Sequence, residues 1–120
     1  IDVSDGLLQD LGHIAHASGL AATLYEAQLP ICPVGVDAAL WQTCLLGGGD
    51  DYELLFTAPS AARPSIETLA DTLALPLTRI GQMRPSHATG TTVQVLNPVQ
   101  QPLDLSRLRV GFDHFAPSTP

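Results

Sequence analysis

Asp51-Tyr52-Glu53-Leu54-Leu55-Phe56-Thr57-Ala58 is the most strand-like stretch of the sequence, and Pro59 ends it. Its unbroken Leu54-Leu55-Phe56 run implies burial on both faces, which places the strand centrally in a sheet. Just upstream, Gly47-Gly48-Gly49 breaks a helix expected over residues 36–46, with Ala39, Leu40 and Cys44 on one side. Downstream, a helix is expected from residue 63 or 64 to 73. Pro64 falls near its first turn, and Ile66, Leu69, Ala70 and Leu73 face inward. At the chain start, residues 1–4 read as extended, and Leu7, Leu8, Leu11, Ile14 and Ala15 then form one helical apolar stripe. Ser4 or Asp5 is expected to cap this helix and Gly19 to stop it. Residues 22–27, 77–80 and 91–96 read as further strands, and the Pro30/Pro33 stretch as a loop. Trp41 and Tyr52 are expected in the core. Helices and strands interleave, so the expected fold class is α/β (α+β), a mixed β-sheet flanked by helices.

Composition narrows the partners. The chain has 120 residues, one domain's worth, and 45% of them are hydrophobic against 14% charged, as in a folded globular chain. Five arginines, no lysine and twelve carboxylates give a net charge of -7. Nucleic-acid and anionic-membrane surfaces need clustered cations and are not expected. A polyphosphate ligand would need a divalent metal or a second domain to offset that charge. No apolar run approaches the roughly 18 residues of a membrane span. Cys32 and Cys44 have neither metal nor redox spacing, which suits a reducing cytoplasm. The sequence begins at Ile1 with no basic and apolar leader behind it, so a signal peptide is not expected and the chain reads as a piece of a longer protein.

Three constellations have chemical content. In Asp2-Val3-Ser4-Asp5-Gly6, strand alternation points Asp2 and Ser4 to one side, and Asp5 falls at the helix start. Two carboxylates and a hydroxyl there suit a hard cation such as Mg²⁺ beside phosphate oxygens, and Gly6 gives a ligand room near the backbone. The plain alternative is helix capping with Asp2 as a solvated charge. In Gly47-Gly48-Gly49-Asp50-Asp51-Tyr52-Glu53, a flexible loop feeds adjacent acids, either a ligand site or a helix stop with a charged turn. It is not a P-loop, since the Lys and Ser/Thr of that motif are absent. In Phe112-Asp113-His114-Phe115, the aromatics either anchor the tail or stack on a cationic ligand. His13 and His16 lack a clear third ligand for Zn²⁺, and Asp10 with His13 reads as a surface pair on the helix. No nucleophile–base–acid triad is selected.

Taken in order, Ile1-Asp2-Val3-Ser4-Asp5-Gly6-Leu7, Asp10-Leu11-Gly12-His13-Ile14, Gly48-Gly49-Asp50-Asp51-Tyr52-Glu53-Leu54, Ile80-Gly81-Gln82-Met83 and Gly111-Phe112-Asp113-His114-Phe115 resemble the thiamine-monophosphate kinases, within the aminoimidazole-ribonucleotide synthetase-like superfamily. The resemblance implies that residues 1–120 are a single C-terminal domain of a longer two-domain enzyme, with that superfamily's C-terminal-domain fold. The absent N-terminal domain would hold most metal-binding aspartates and build a homodimer. The implied reaction moves the γ-phosphate of ATP to thiamine phosphate. By position, Asp2 and Asp5 resemble Mg²⁺ ligands and Ser4 an ATP contact. Asp50, where the family often has Glu, and Phe112 resemble substrate-binding residues, with Asp51 supporting the same region. No general base is required, because the acceptor phosphate is already anionic. Two other readings stand beside it: another ATP-dependent enzyme of the same superfamily, and a non-catalytic ligand-binding or dimerisation module.

Overall fold

The apolar stripe near the chain start forms α1 (Leu7–Ala17), which buries Leu7, Leu8, Leu11 and Ala15. The structure is a computed structural model and describes residues 1–49, 52–88, 90–106 and 108. Gly19, at φ 65°, turns the chain out of α1 as expected. β1 (Leu20–Tyr25) follows at once and becomes the middle strand of a three-stranded sheet, order β2–β1–β3. β2 (Gly81–Pro85) runs antiparallel to β1 and β3 (Val93–Leu96) parallel, so the sheet is mixed, as expected.

Register explains the core. Ala22 pairs with Val93 and Leu24 with Val95, and the alternation of strand side chains puts all four on one face. α1 lies across β1 and β3, and these residues join Leu7, Leu8 and Leu11 in one cluster. Burying a side chain such as Leu24 is worth about 1.5–3 kcal/mol. On the other face Gln94 donates through Nε2 to the Thr23 hydroxyl at 3.0 Å.

α2 (Ala38–Gly47) starts at Asp37, whose Oδ1 accepts the Leu40 N–H at 2.8 Å, and it packs against α1. Its buried residue is Leu46, whereas Ala39, Leu40 and Cys44 are exposed, contrary to expectation. Apolar residues surround this helix, so its periodicity selects no face. α3 (Arg63–Leu73) has Pro64 in its first turn as expected, but none of its residues is fully buried. Ile66 and Ala70 are half-buried, while Leu69 and Leu73 are exposed. α3 ends at Ala74 in the left-handed region, φ 51°. A non-glycine residue there costs roughly 1–2 kcal/mol, partly offset by glycine's larger unfolded-state entropy. Ala74→Gly is therefore expected to raise stability by about 0.5–1 kcal/mol in thermal melts, and a lower melting temperature would contradict this account.

Several strand expectations are corrected. Residues 51–58 do not form the central strand. Among the described residues of that stretch, pairing is limited to a bridge between Leu54 and Asp2. Leu55 is buried, but Leu54 and Phe56 are 79% and 53% exposed, so only one of the two faces is covered. The expected strand over 77–80 falls instead at Gly81–Pro85, where Met83 is the one large apolar residue and no apolar alternation marks the register. Tyr52 is 95% exposed, not core. Trp41 is half-buried, with Nε1 donating to the Pro30 carbonyl at 3.3 Å. Both cysteines are free. Among the described residues no helix is long and apolar enough to cross a membrane.

Candidate functional site

The fold brings the first two acidic motifs together through their main chains. The Val3 N–H donates to the Glu53 carbonyl at 2.9 Å, and the Leu55 N–H to the Ile1 carbonyl at 2.8 Å. A second seam joins the glycines. Gly6 is buried at φ 122°, and a Cβ on it would lie 2.9 Å from the Gly47 carbonyl oxygen. A Cβ on Gly49 would run into the Ser4 carbonyl. The space at Gly6, expected to admit a ligand, is thus taken by the last residue of α2. Along this seam Val3 is buried, Asp2 and Ser4 are exposed, and Asp5 is half-buried, which matches the expected alternation.

The start of α1 is built the opposite way from expectation. Its N-cap is Gly6, which makes no side-chain cap, and neither Ser4 nor Asp5 takes that role. Instead Asp10, in the first helical turn, reaches back. Its Oδ2 accepts the N–H groups of Ser4 at 2.9 Å and Asp5 at 3.0 Å. Asp10 is 1% exposed, so it is not part of a surface pair with His13. An unsatisfied buried carboxylate would be very costly. Two charge-assisted hydrogen bonds of about 1.5–3 kcal/mol each, and the positive end of the helix dipole, offset that cost. The signal was present in the sequence: Asp10 falls three residues from Leu7 and four from Ile14, a polar residue beside the apolar stripe.

Asp5, Asp10 and His13 each offer a ligand atom, and these atoms lie within 4.8 Å of one another. The group contains Asp5 but neither Asp2 nor His16. Carboxylate oxygens suit Mg²⁺ whereas imidazole favours softer metals. Asp10 already uses one oxygen on two amides. By donor chemistry the Asp5 carboxylate is the member of this group that suits Mg²⁺, and Asp2 lies outside the group. Asp50, Asp51 and the Phe112–Phe115 motif lie outside the described residues. Tyr52, next to the acid pair, has a left-handed backbone at φ 54°, a conformation that is strained for a non-glycine residue. A groove of about 430 Å³ lined by Leu29, Pro30, Trp41, Leu45 and Val95 includes none of the acidic cluster.

No family model matches the chain. The thiamine-monophosphate kinase of Salmonella typhimurium is 38% identical over 119 residues, spanning 97% of this chain and 35% of that protein. The enzyme of the same name from Escherichia coli K12 is 39% identical over 122 residues, with the same shares. Among solved structures, thiamine-monophosphate kinase from Stenotrophomonas maltophilia matches with a TM-score of 0.70 and 46% identity, covering 79% of this chain and 30% of that one. AaThiL, solved in complex with AMPPCP and TMP, matches with a TM-score of 0.60 and 26% identity over 96% of this chain and 33% of that one. The chain spans about a third of the length of these relatives. By sequence and by fold together, the chain matches the C-terminal part of the thiamine-monophosphate kinases.

Proposed function

We propose that this chain is the C-terminal domain of an ATP- and Mg²⁺-dependent kinase that phosphorylates thiamine phosphate to thiamine diphosphate. The observation that carries the reading is the double seam. It holds Asp2, Ser4 and Asp5 beside the glycine loop that leads into Asp50. A relative of the same fold, AaThiL, was solved with AMPPCP and TMP. In this reading Asp2 and Asp5 hold Mg²⁺ and Ser4 contacts ATP. Asp50 and Phe112, outside the described residues, bind the substrate. An acid and an aromatic face suit the thiamine cation. Magnesium, when bound, neutralises and orients the phosphates.

The chain's own contribution is positioning. Its main-chain seams keep the acidic loop from drifting, and the start of α1, without a side-chain cap, leaves helix N–H dipoles for an anion. No residue is assigned as a general base, because the acceptor oxygen is already ionised near neutral pH. Leu54 and Phe56, exposed on one face, and the half-exposed Ile1 support a covering N-terminal domain. With that domain the enzyme would be a cytoplasmic homodimer.

The test is reconstitution. The 120-residue chain alone is expected to form no thiamine diphosphate. Joined to an aspartate-rich N-terminal domain, it is expected to convert thiamine phosphate with ATP and Mg²⁺. Turnover of formylglycinamidine ribonucleotide or selenide instead would assign it to another branch of the superfamily. Nucleotide-independent binding of thiamine phosphate without turnover would make it a binding module.

A further inference from the structure

We propose that Asp10 is a positioning residue for metal and nucleotide: by taking the N–H groups of Ser4 and Asp5, it fixes the loop that presents Asp2, Ser4 and Asp5. The inference rests on the kinase reading above. Its basis is the direction of the hydrogen bonds. A helix N-terminus is ordinarily stabilised from the loop side, by a Ser or Asp at the cap position. Ser4 and Asp5 stand next to that position, yet the N-cap is Gly6, which has no side chain to bond with. The stabilising group comes from inside the helix, at 1% exposure, where a carboxylate is hardest to accommodate.

This reversal has a consequence for the loop. Two consecutive amides are tied to a single oxygen, Oδ2 of Asp10, at 2.9 and 3.0 Å. The peptide planes on either side of Ser4 are therefore oriented by the core of the domain and not by solvent. Neither bond uses the Ser4 or Asp5 side chain. On the other side of the loop, Gly49 closes on the Ser4 carbonyl. The segment is held from both sides. Asp10 also lies close to Asp5, with ligand atoms within 4.8 Å, so its charge adds to the field that attracts a cation there. Outer groups that orient metal ligands typically change metal affinity or activity about 10–100-fold when removed.

The experiment compares wild type, Asp10→Ala and Asp10→Asn in the full-length enzyme. Asn retains an oxygen that can accept both amides but lacks the charge, so it covers the case in which the alanine variant fails to fold. Amide hydrogen exchange at Ser4 and Asp5 reads the hold on the loop. Calorimetry of AMPPCP binding across a Mg²⁺ series reads its effect on the ligands without turnover. The expected result for Asp10→Ala is faster exchange at both amides and about 10-fold weaker Mg²⁺-dependent AMPPCP binding. Asp10→Asn should protect the amides largely as wild type does while still weakening that binding. The KM for thiamine phosphate should stay within about twofold in each variant, since Asp10 is not among its proposed partners. Lost amide protection with unchanged Mg²⁺-dependent binding overturns the positioning role alone. Absence of Mg²⁺-dependent AMPPCP binding in wild type overturns the kinase reading, and the positioning role with it, even where Asp10 still protects the amides.

Discussion

On the proposed kinase reading, Asn in place of Asp5 is expected to lower turnover of the full-length protein about 100-fold or more, while moving its melting temperature by only a few degrees. Asp5 is half-buried, and its N–H remains with Asp10 in the variant, because that bond uses the main chain. Asn has nearly the same shape, so packing is conserved. The substitution removes one negative charge and, on the proposed reading, one hard ligand oxygen. A loss of about 2.7 kcal/mol in transition-state stabilisation already gives a hundredfold rate change. Initial rates across a Mg²⁺ series, with scanning calorimetry on the same samples, decide the matter. A fall in melting temperature large enough to account for the lost activity would make Asp5 structural.

The second large effect is on stability. Gly6→Val is expected to cost about 3 kcal/mol or more, because a strained backbone costs roughly 1–3 kcal/mol before any clash is counted. At φ 122° an L-residue is disfavoured, and the new Cβ would press on the Gly47 carbonyl carbon and oxygen at 3.1 and 2.9 Å. Neither is a flexible side-chain end. For a domain of this size the expected drop is on the order of 10 °C. Gly19→Ala is the control: it also has positive φ, at 65°, but nothing lies within 4 Å of where its Cβ would stand. That variant should lose only about 1 kcal/mol. Equal melting temperatures for the two variants would show that close approach to the end of α2 is not what Gly6 serves.

The helices were legible because their signals are local. The α1 stripe, Pro64 at the start of α3 and Gly19 at the end of α1 are where the residues place them. The sheet was legible in class but not in detail. Leu54-Leu55-Phe56 carries a stronger strand signal than Leu20–Tyr25, yet position in the sheet depends on what covers each face, and only Leu55 is covered among the three. β2 was misplaced because its polar residues show no alternation, and its register is set by β1 across the fold. For the site, the motifs were readable as residue types, and their juxtaposition was not. The role of Asp10 escaped because a carboxylate on a helix is ordinarily read as solvated, and its two partners become visible only once the loop has folded over it.

The parallel pairing of β1 with β3 joins residues such as Thr23 and Gln94, 71 positions apart. The sheet therefore cannot close from neighbouring pieces. Loop-closure entropy for the intervening chain must be spent before the core is rewarded, so refolding of this topology is expected in milliseconds to seconds rather than microseconds. During synthesis α1 and β1 emerge before β3, and their apolar face stays open until β3 leaves the ribosome. The interval in which this chain is most prone to aggregate is thus set by the placement of one late strand.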